Sequence, residues 1–534
     1  MSRVAVVGAG TMGAGIALAA ARAGFDVALI EIDPAARARA LERLARDARR
    51  LQDEPAMNRI AWPGSIDDLP PCDLAIEAVP EDLALKSRVL TALARTGSGC
   101  VLATNTSSLS VTDLAVSIGD DAATRLIGLH FFNPPTVMKL VEIIPTDATR
   151  SDVTEAARAF VERLGKTAVL AKDTPGFIVN RVARPYYLQA LRALEREVGD
   201  AEMLDRVARG VGFRMGPFEL MDLIGLDVNL ATSESIFQRT HAKRLAPSAL
   251  QQAMVRQGRL GRKSGAGFYD YAGGAAPQAP MHEENNPEID EAAPRDEDER
   301  IAIVGFGGFA EELHEELSRR YAQVVRVDND DAIDELPLDT TALFDVGDGA
   351  NDRAHQIKEY DNLFPPETVL FADAYVTDVE KLSPRLRNPE RLVGYGVLSS
   401  LSRQHVVEIA DLDATSDDAM ELAQELFGAL QKTVAPIGPG PGLFLGRTVA
   451  AIVNEGVYAV QDGIATAADV DVAMRLGTNY PLGPIEWGRE IGAARISAIL
   501  ERVAQEDGPD FGPARALRFL DLDDAGLPDG ATAL

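Results

Sequence analysis

The stretch RVAVVGAGTMGAGIALAAARAGFDVALIE, residues 3–31, decides the fold of the first part of the chain. An apolar strand over residues 4–7 leads into a glycine-rich turn, an alanine-rich helix follows, and a second apolar strand covers residues 27–31. Helical stretches separate three further short apolar strands, at 74–79, 100–104 and 126–129. Because strands that alternate with helices form parallel sheets, the sequence predicts an α/β domain here.

The glycine turn of this stretch, Gly8-Ala9-Gly10-Thr11-Met12-Gly13, has the chemistry of a dinucleotide-binding turn. Its glycines permit a tight turn and let backbone N–H groups approach a pyrophosphate at the start of the helix. Glu31 ends the second strand, where a carboxylate accepts hydrogen bonds from ribose hydroxyls and repels an added 2′-phosphate. We therefore predict a Rossmann-type nucleotide-binding domain that uses NAD rather than NADP. The alternative is a packing turn followed by a surface acid.

The composition excludes several classes of partner. The chain has 82 Asp and Glu against 53 Lys and Arg, a formal net charge of −29, which repels nucleic acid and anionic membranes. No apolar run approaches the roughly 20 residues that a membrane helix needs. The two cysteines, Cys72 and Cys100, are too few for a disulfide framework or a four-thiolate metal site. We expect a cytoplasmic protein with no metal, nucleic-acid or membrane partner.

The 534 residues divide into several predicted domains. After a nucleotide-binding domain over 1–174, strand signals end, and long amphipathic segments at 177–198 and 202–210 predict a helical domain over 175–274. The stretch 275–299 carries four prolines and many acidic residues, which is typical of a solvated linker. The order of strand, glycine turn, helix and strand then begins again. We predict a second Rossmann-like domain over 300–437 and a second helical domain over 438–534.

Matched segments at nearly constant spacing indicate that this pair of domains is duplicated along the chain. Arg125-Leu-Ile-Gly-Leu-His corresponds to Arg391-Leu-Val-Gly-Tyr-Gly, and Pro175-Gly-Phe corresponds to Pro441-Gly-Leu. A third match relates Gly216-Pro-Phe-Glu to Gly483-Pro-Ile-Glu.

A histidine and a glutamate of the first domain form a candidate catalytic pair. His130 follows a strand, and Glu142 lies inside the apolar strand predicted over 139–144. If the chain reverses near Thr136, the midpoint, the two side chains come opposite one another. A carboxylate between apolar neighbours is costly to bury unpaired, and an imidazole is a suitable partner. The pair then reads as a base and its orienting acid, and the alternative for His130 is a core histidine among aromatic residues.

Five segments resemble the 3-hydroxyacyl-CoA dehydrogenase family over residues 1 to about 271. In chain order they are Gly8-x-Gly10-x-x-Gly13, Asn105-Thr-Ser107-Ser-Leu, His130-Phe-Phe-Asn-Pro, Lys172-Asp-Thr-Pro-Gly-Phe-Ile-Val-Asn180-Arg and Gly216-Pro-Phe-Glu-Leu. The resemblance implies oxidation of an L-3-hydroxyacyl-CoA to the 3-ketoacyl-CoA with hydride transfer to NAD⁺, as in fatty-acid β-oxidation. It favours short acyl chains such as 3-hydroxybutyryl and leaves open whether the substrate carries a distal carboxylate.

The resemblance also implies roles for individual residues. His130 is the expected general base and Glu142 orients it, while Ser107 and Asn180 bind around the reacting hydroxyl and the nicotinamide. Without the family, Ser107 reads as a helix cap and Asn180 as a buried polar residue. The further cofactor contacts implied are Glu81, Lys86, Ser107, Asn133 and Lys263. On their own, Glu81 and Lys86 read as a solvated helix start.

The site for coenzyme A is less well defined by the sequence. The family binds it with a helical hairpin inserted after the second strand, where this chain has Arg37, Arg39, Arg43, Arg46, Arg49 and Arg50. The segment is shorter than expected, and the serine and lysine that the family uses have no clear counterparts. The alternative is a charged face near solvent.

The second copy lacks the predicted catalytic chemistry. Its substitutions at the matched positions are Gly396 for His130, Ser399 for Asn133, Gly446 for Asn180 and Tyr375 for Ser107, and only Glu408 remains, opposite Glu142. We expect the second half to be inactive and structural. Nucleotide binding at its glycine turn, residues 305–310, stays open, although Glu311 and Glu312 crowd the helix start.

The family commonly pairs its helical domains into dimers, so we expect either an intrachain pseudo-dimer or a homodimer. Two other functions are compatible with parts of the sequence. One is a non-catalytic protein that binds NAD or acyl-CoA, against which His130, Glu142, Ser107 and Asn180 argue. The other is a dehydrogenase of free hydroxy acids with a lysine base, which His130-Phe-Phe-Asn-Pro disfavours.

Overall fold

The computed structural model describes residues 1–97, 99–271, 296–347 and 349–520. The predicted acidic linker, 275–299, lies outside the described residues except for its last four. In the described part of the chain, no helix is long and apolar enough to cross a membrane.

The first part of the chain forms an eight-stranded sheet in the order β3-β2-β1-β4-β5-β6-β7-β8. Its strands are β1 (Arg3–Val7), β2 (Asp26–Ile30), β3 (Ile60–Ala61), β4 (Leu74–Glu77), β5 (Val101–Thr104), β6 (Leu126–Phe131), β7 (Leu140–Pro145) and β8 (Thr167–Leu170). Neighbouring strands are parallel except β6 and β7. Its helices are α1 (Thr11–Arg22), α2 (Pro34–Arg50), α3 (Leu83–Ala94), α4 (Val111–Ile118), α5 (Asp120–Ala123) and α6 (Ser151–Arg163). The predicted α/β region is therefore confirmed.

The chain then becomes helical, and the sheet does not continue. The helices are α7 (Val179–Val182), α8 (Arg184–Glu195), α9 (Ala201–Arg209), α10 (Pro217–Ile224), α11 (Leu226–Thr240) and α12 (Ala249–Arg256). The amphipathic segment noted over 177–198 forms two helices rather than one. It is divided at Ala183, because Pro185 has no backbone N–H to continue a helix and sits in the first turn of α8.

A second sheet of seven strands has the order β10-β9-β11-β12-β13-β14-β15. Its strands are β9 (Asp296–Gly305), β10 (Tyr321–Val327), β11 (Ala342–Gly347), β12 (Val369–Asp373), β13 (Leu392–Gly396), β14 (Val406–Ala410) and β15 (Thr433–Ile437). Strand β9 begins at Asp296, inside the predicted linker and before the predicted restart at Arg300. Only β13 and β14 are antiparallel, which is the place that β6 and β7 hold in the first sheet.

Helices accompany the second sheet and follow it. They are α13 (Gly308–Ser318), α14 (Ala354–Leu363), α15 (Val379–Leu382), α16 (Asp417–Ala429), α17 (Leu445–Gln461), α18 (Ala467–Thr478), α19 (Pro484–Ile491) and α20 (Ala493–Asp507). The molecule thus contains two Rossmann-like α/β regions, each followed by helices.

The two halves pack against each other through equivalent contacts. The long helices α8 and α17 lie side by side, α18 contacts β7 and β8 of the first sheet, and α9 contacts β14 of the second. The Lys172 N–H donates to the Ile464 carbonyl at 2.8 Å, and the Gly438 N–H donates to the Val198 carbonyl at 2.7 Å. Each helical region therefore packs on the sheet of the opposite half.

Buried polar contacts hold this seam between the halves. The Arg181 Nε donates to Glu455 Oε1 at 2.7 Å, and the Arg447 Nε donates to Gln189 Oε1 at 3.1 Å. All four side chains are buried. Buried ion pairs fix geometry well but contribute modest net stability, because desolvation offsets their attraction. A cluster of aromatic rings supplies apolar contact across the same seam: Tyr186, Phe213, Tyr480 and Trp487.

Candidate functional site

The antiparallel pair β6 and β7 places His130 directly opposite Glu142. The His130 Nδ1 lies 2.5 Å from Glu142 Oε2, and both side chains are buried. The other carboxylate oxygen, Oε1, accepts hydrogen bonds from the N–H groups of Ile178 and Val179, each at 2.9 Å. A carboxylate that only accepts requires the hydrogen on Nδ1, which leaves Nε2 as the ring nitrogen free to take a proton.

Asn180 and Ser107 approach each other beside this pair. Asn180 follows Val179 in the first turn of α7, whose start is bound to Glu142. Its Nδ2 lies 3.5 Å from the Ser107 carbonyl. The structure therefore brings all four predicted catalytic residues, His130, Glu142, Ser107 and Asn180, to one edge of the first sheet.

Glu81 shapes the loop that carries Ser107. Its Oε1 accepts hydrogen bonds from the N–H groups of Ser107 and Ser108, each at 2.8 Å, and from Thr106 Oγ1 at 2.6 Å. Burial raises the pKa of Glu81, but the Lys86 ammonium and these hydrogen bonds outweigh it and lower the pKa to about 2. Glu81 is therefore an ionised anchor for the loop.

Lys86 is buried rather than solvated, so the solvated helix start considered for this segment is wrong. Its Nζ donates to Glu77 Oε1 at 2.8 Å and to the Val79 carbonyl at 3.1 Å, and lies 3.2 Å from Glu81 Oε2. Glu77, on β4, is fully buried and was missed by the sequence analysis. A carboxylate in the apolar run Leu-Ala-Ile-Glu was the signal, by the argument applied to Glu142.

The glycine turn leaves room for a dinucleotide at the start of α1. A Cβ at Gly8, where φ is +98°, would lie 2.6 Å from the Ala78 carbonyl oxygen, whereas a Cβ at Gly10 would meet open space. Thr11 and Met12 form the first turn of the helix, and Gly13 touches the Gly8 carbonyl closely enough to exclude a side chain. Free N–H groups at a helix start suit a pyrophosphate.

Glu31 lies at this turn and faces its backbone. Its Oε2 accepts from the Ala9 N–H at 3.0 Å, and its Oε1 accepts from the Asp33 N–H at 3.1 Å. The carboxylate is therefore held at the carboxyl edge of β1 and β2, where a ribose would lie. These residues fit NAD.

The remaining predicted cofactor contacts lie in different places. Asn133 is exposed on the loop after β6, and the same loop lays Pro135 against Gly15 of α1. Asn105, to which the sequence assigned no role of its own, ties the end of β6 to the end of β5, because its Oδ1 accepts from the Phe131 N–H at 2.9 Å. Lys263 lies in the helical region, where it is paired with Asp227.

The arginine-rich segment forms one helix and no hairpin. After α2 the chain makes a short turn of 3-10 helix, residues 54–59, and returns to the sheet as β3. The second arm of the helical hairpin implied by the family resemblance is therefore absent from this described stretch. The exposed arginines of α2 are Arg39, Arg46, Arg49 and Arg50.

A tyrosine occupies the second half's equivalent of the site. Gly396 pairs with Glu408 as His130 pairs with Glu142, and Tyr375 Oη donates to Glu408 Oε2 at 2.8 Å. A Cβ at Gly396 would lie 2.3 Å from the Tyr375 ring, and a Cβ at Gly446 would lie 2.8 Å from it. The ring therefore fills the space that a histidine and an asparagine would need.

Two arginines close the second half's cleft between sheet and helices. Arg495, on α20, is paired with Asp373 and donates to the Val397 carbonyl at 2.8 Å. Arg502 lies further along the same face of this helix. It donates to the Tyr375 carbonyl at 3.1 Å. In this half the helical wall is therefore hydrogen-bonded directly to the sheet edge.

Comparisons with known proteins match segments of both halves of the chain. The NAD-binding domain of the 3-hydroxyacyl-CoA dehydrogenases matches residues 3–174, and the C-terminal domain of the same enzymes matches twice, at 176–271 and 442–531. A 3-hydroxyadipyl-CoA dehydrogenase of Escherichia coli is 36% identical over 528 residues, covering 96% of each chain. A probable 3-hydroxybutyryl-CoA dehydrogenase of Bacillus subtilis is 39% identical over 282 residues, 51% of this chain and 98% of its own.

A solved structure matches almost the whole chain. The crystal structure of a 3-hydroxybutyryl-CoA dehydrogenase from Escherichia coli covers 98% of this chain and 99% of its own, with a TM-score of 0.76 and 34% identity.

Proposed function

The chain belongs to the 3-hydroxyacyl-CoA dehydrogenase family, whose cofactor is NAD, and on that premise we propose that its first half oxidises an L-3-hydroxyacyl-CoA to the 3-ketoacyl-CoA. The observation that carries the proposal is the buried pair of His130 and Glu142 at the dinucleotide edge of the first sheet. NAD⁺ supplies the hydride acceptor when bound.

The residues of the chain move and hold the proton. Nε2 of His130 takes the hydroxyl proton, and Glu142 stabilises the imidazolium that results. Ser107 and Asn180 hold the substrate oxygen, and the hydrogen bonds that Glu81 accepts keep the Ser107 loop in place. Since three hydrogen bonds already fix Glu142, the base is oriented before substrate arrives.

A spectrophotometric assay with acetoacetyl-CoA and NADH tests the activity. We expect NADH oxidation by the wild type, and a loss of roughly 10²- to 10⁴-fold in His130→Ala with NADH affinity nearly unchanged. His405→Ala, in the second half, is the matched control and should change little. Equal losses in the two variants, or no turnover in the wild type, would count against the proposal.

We further propose that the second half is a degenerate duplicate with a structural role. The equal sheet orders, the equivalent antiparallel pair and the second match to the C-terminal domain support the duplication. Tyr375, Arg495 and Arg502 support the loss of catalysis, because they occupy its cleft. The predicted domain boundaries and the cytoplasmic location stay predictions.

The two helical regions supply the proposed intrachain pseudo-dimer. The paired backbone bonds from Lys172 and Gly438 and the buried seam between α8 and α17 support it. Division of the gene at Asn286 tests the idea, with sedimentation of the products. A first half that is soluble, fully active and monomeric alone would contradict it.

The substrate is proposed to have a short acyl chain. The half-length relative is named for a 3-hydroxybutyryl substrate, and the relative that matches the whole chain is named for a 3-hydroxyadipyl substrate, which ends in a carboxylate. Kinetics with both thioesters separate the two classes.

A further inference from the structure

The single helical turn α7 carries two parts of the proposed site. The Val179 N–H, at its start, donates to Glu142 Oε1 at 2.9 Å. Asn180 is the next residue, and its side chain lies beside the Ser107 carbonyl. A helix of one turn leaves most of its backbone groups without partners inside the helix. The position of α7 therefore depends on what packs against it.

Two carboxylates of the second half bind Arg181 of α7. The Arg181 Nε donates to Glu455 Oε1 at 2.7 Å, and its Nη2 donates to Asp462 Oδ2 at 2.8 Å. Arg244 binds the other side of Glu455, because its Nε donates to Oε2 at 2.8 Å. Charge-assisted bonds of this kind are short and directional. Since Arg181 directly follows Asn180, these bonds fix the turn on which Asn180 lies.

A glycine of α18 lets the second half approach the same turn closely. A Cβ at Gly477 would lie 2.9 Å from Leu140 Cδ2 and 3.0 Å from Val179 Cγ2. Leu140 begins β7, the strand that carries Glu142. Helix α18 therefore packs on both elements that meet at the Glu142 carboxylate.

The equivalent glycine on the other side of the seam packs on the second sheet. Gly210 and Gly477 each lie six residues before a matched Gly-Pro segment, so they are counterparts. A Cβ at Gly210 would lie 2.6 Å from Val406 Cγ2, on β14. Crowding at Gly210 therefore disturbs the second sheet, whereas crowding at Gly477 disturbs the strand and the turn of the His130 site.

The acid that binds α7 also has a counterpart, and that counterpart is neutral. Glu455 and Gln189 each lie fourteen residues after the proline of a matched Pro-Gly segment. Gln189 Oε1 accepts across the seam from Arg447 Nε at 3.1 Å, while Arg447 takes its carboxylate partner, Asp507, from its own half. Hydrogen bonds to charged groups are stronger than those to neutral groups. The stronger contact of the two is the one beside the proposed catalytic residues.

We propose that the second half positions the catalytic residues of the first half, with Glu455 and Gly477 as positioning residues that act through α7. This inference rests on the proposed function of the His130 site. Glu455 fixes the turn that carries Asn180, and α18 holds the start of that turn on β7, which keeps its N–H groups on Glu142. Such contacts matter for rate, because a misplacement of about 1 Å at a reacting centre costs up to roughly 10²-fold.

Matched glycine variants test the inference in the full-length protein. Gly477→Ala should lower kcat for acetoacetyl-CoA reduction by about tenfold, with the KM for NADH nearly unchanged, since the glycine turn lies elsewhere. Gly210→Ala introduces a closer contact, so it should lower the melting temperature at least as much and leave kcat unchanged. Rates are expressed per NADH bound in fluorescence titrations, which removes unfolded enzyme from the comparison.

A second pair of variants tests the ion pair. The equivalent contact of Gln189 shows that an amide fits beside an arginine at this position, so Glu455→Gln should fold. It should lower kcat about threefold or more, because Arg181 keeps a weaker acceptor. Gln189→Ala is the matched control and should keep the wild-type kcat.

The outcomes separate the possible failures. Equal kcat losses in Gly477→Ala and Gly210→Ala would show a general effect of packing and would overturn the inference. A matching rise in the KM for NADH would indicate distortion of the whole first sheet and would overturn it too. If Gly477→Ala fails to fold, Glu455→Gln decides. Full kcat in both variants, with an active wild type, would refute the positioning role and leave the dehydrogenase intact, whereas an inactive wild type would refute both.

Discussion

Replacing Glu142 by glutamine separates the orienting role of this residue from its structural role. The glutamine keeps one oxygen for the N–H groups of Ile178 and Val179, so its NH₂ group must face Nδ1 of His130. An NH₂ donor requires Nδ1 to accept, which moves the ring hydrogen to Nε2. The base can then no longer take a proton in the orientation that the fold imposes.

Glu142→Gln should reduce kcat much more than it reduces stability. Loss of a correctly oriented base costs roughly 10²- to 10⁴-fold in kcat. The free energy of unfolding should fall by only about 1–3 kcal/mol, because two of the three hydrogen bonds to residue 142 survive. Steady-state kinetics and thermal melts measure the two quantities on the same preparation.

The second half supplies the matched control, Glu408→Gln. Glu408 is also fully buried and also accepts hydrogen bonds from two backbone N–H groups, those of Phe444 at 3.2 Å and Leu445 at 3.0 Å. Its side-chain partner is Tyr375 instead of a histidine, so Glu408→Gln should leave kcat unchanged. A folded Glu142→Gln enzyme with near wild-type kcat, or an equal loss in both variants, would refute the reasoning.

Three further predictions concern pH, cofactor choice and the seam. Burial raises the pKa of Glu408 to about 7, so its contribution to stability is complete below about pH 4.5 and is lost as the pH rises through 7; thermal melts of Glu408→Gln should lack that decline. Glu31→Gln should weaken the preference for NADH over NADPH by about tenfold in fluorescence titrations, since the repulsion of a 2′-phosphate is removed, and an unchanged ratio would exclude Glu31 from cofactor choice. Arg181→Ala should lower the free energy of unfolding by about 1–3 kcal/mol, because it removes one of the two arginines that pair with the buried Glu455 and leaves Arg244 in place, whereas Arg59→Ala, at an exposed pair, should cost under about 1 kcal/mol; equal costs in denaturant titrations would contradict this.

Local sequence patterns were sufficient to predict the parts of the site that depend on neighbouring strands. The side chains of a strand alternate, so a reversal midway between His130 and Glu142 placed them opposite each other, which the structure shows at 2.5 Å. The glycine turn and the end of β2 followed from the same kind of pattern.

Long-range contacts were beyond those patterns. Lys86 looked solvated because its partner Glu77 lies in a different element, and only the fold brings them together. The 177–198 segment is apolar at helical spacing throughout, so the break before α8 depended on one proline. The reach of Arg495 across the cleft to Asp373 depends on the placement of a helix 122 residues away in sequence, which no local pattern encodes.

The interleaved halves also change how the assembly responds to dilution. When two helical regions belong to separate chains, their association weakens as the protein concentration falls. Here α8 and α17 belong to one chain, so a fixed effective concentration governs their contact. The seam should persist at any dilution, and specific activity should not depend on enzyme concentration.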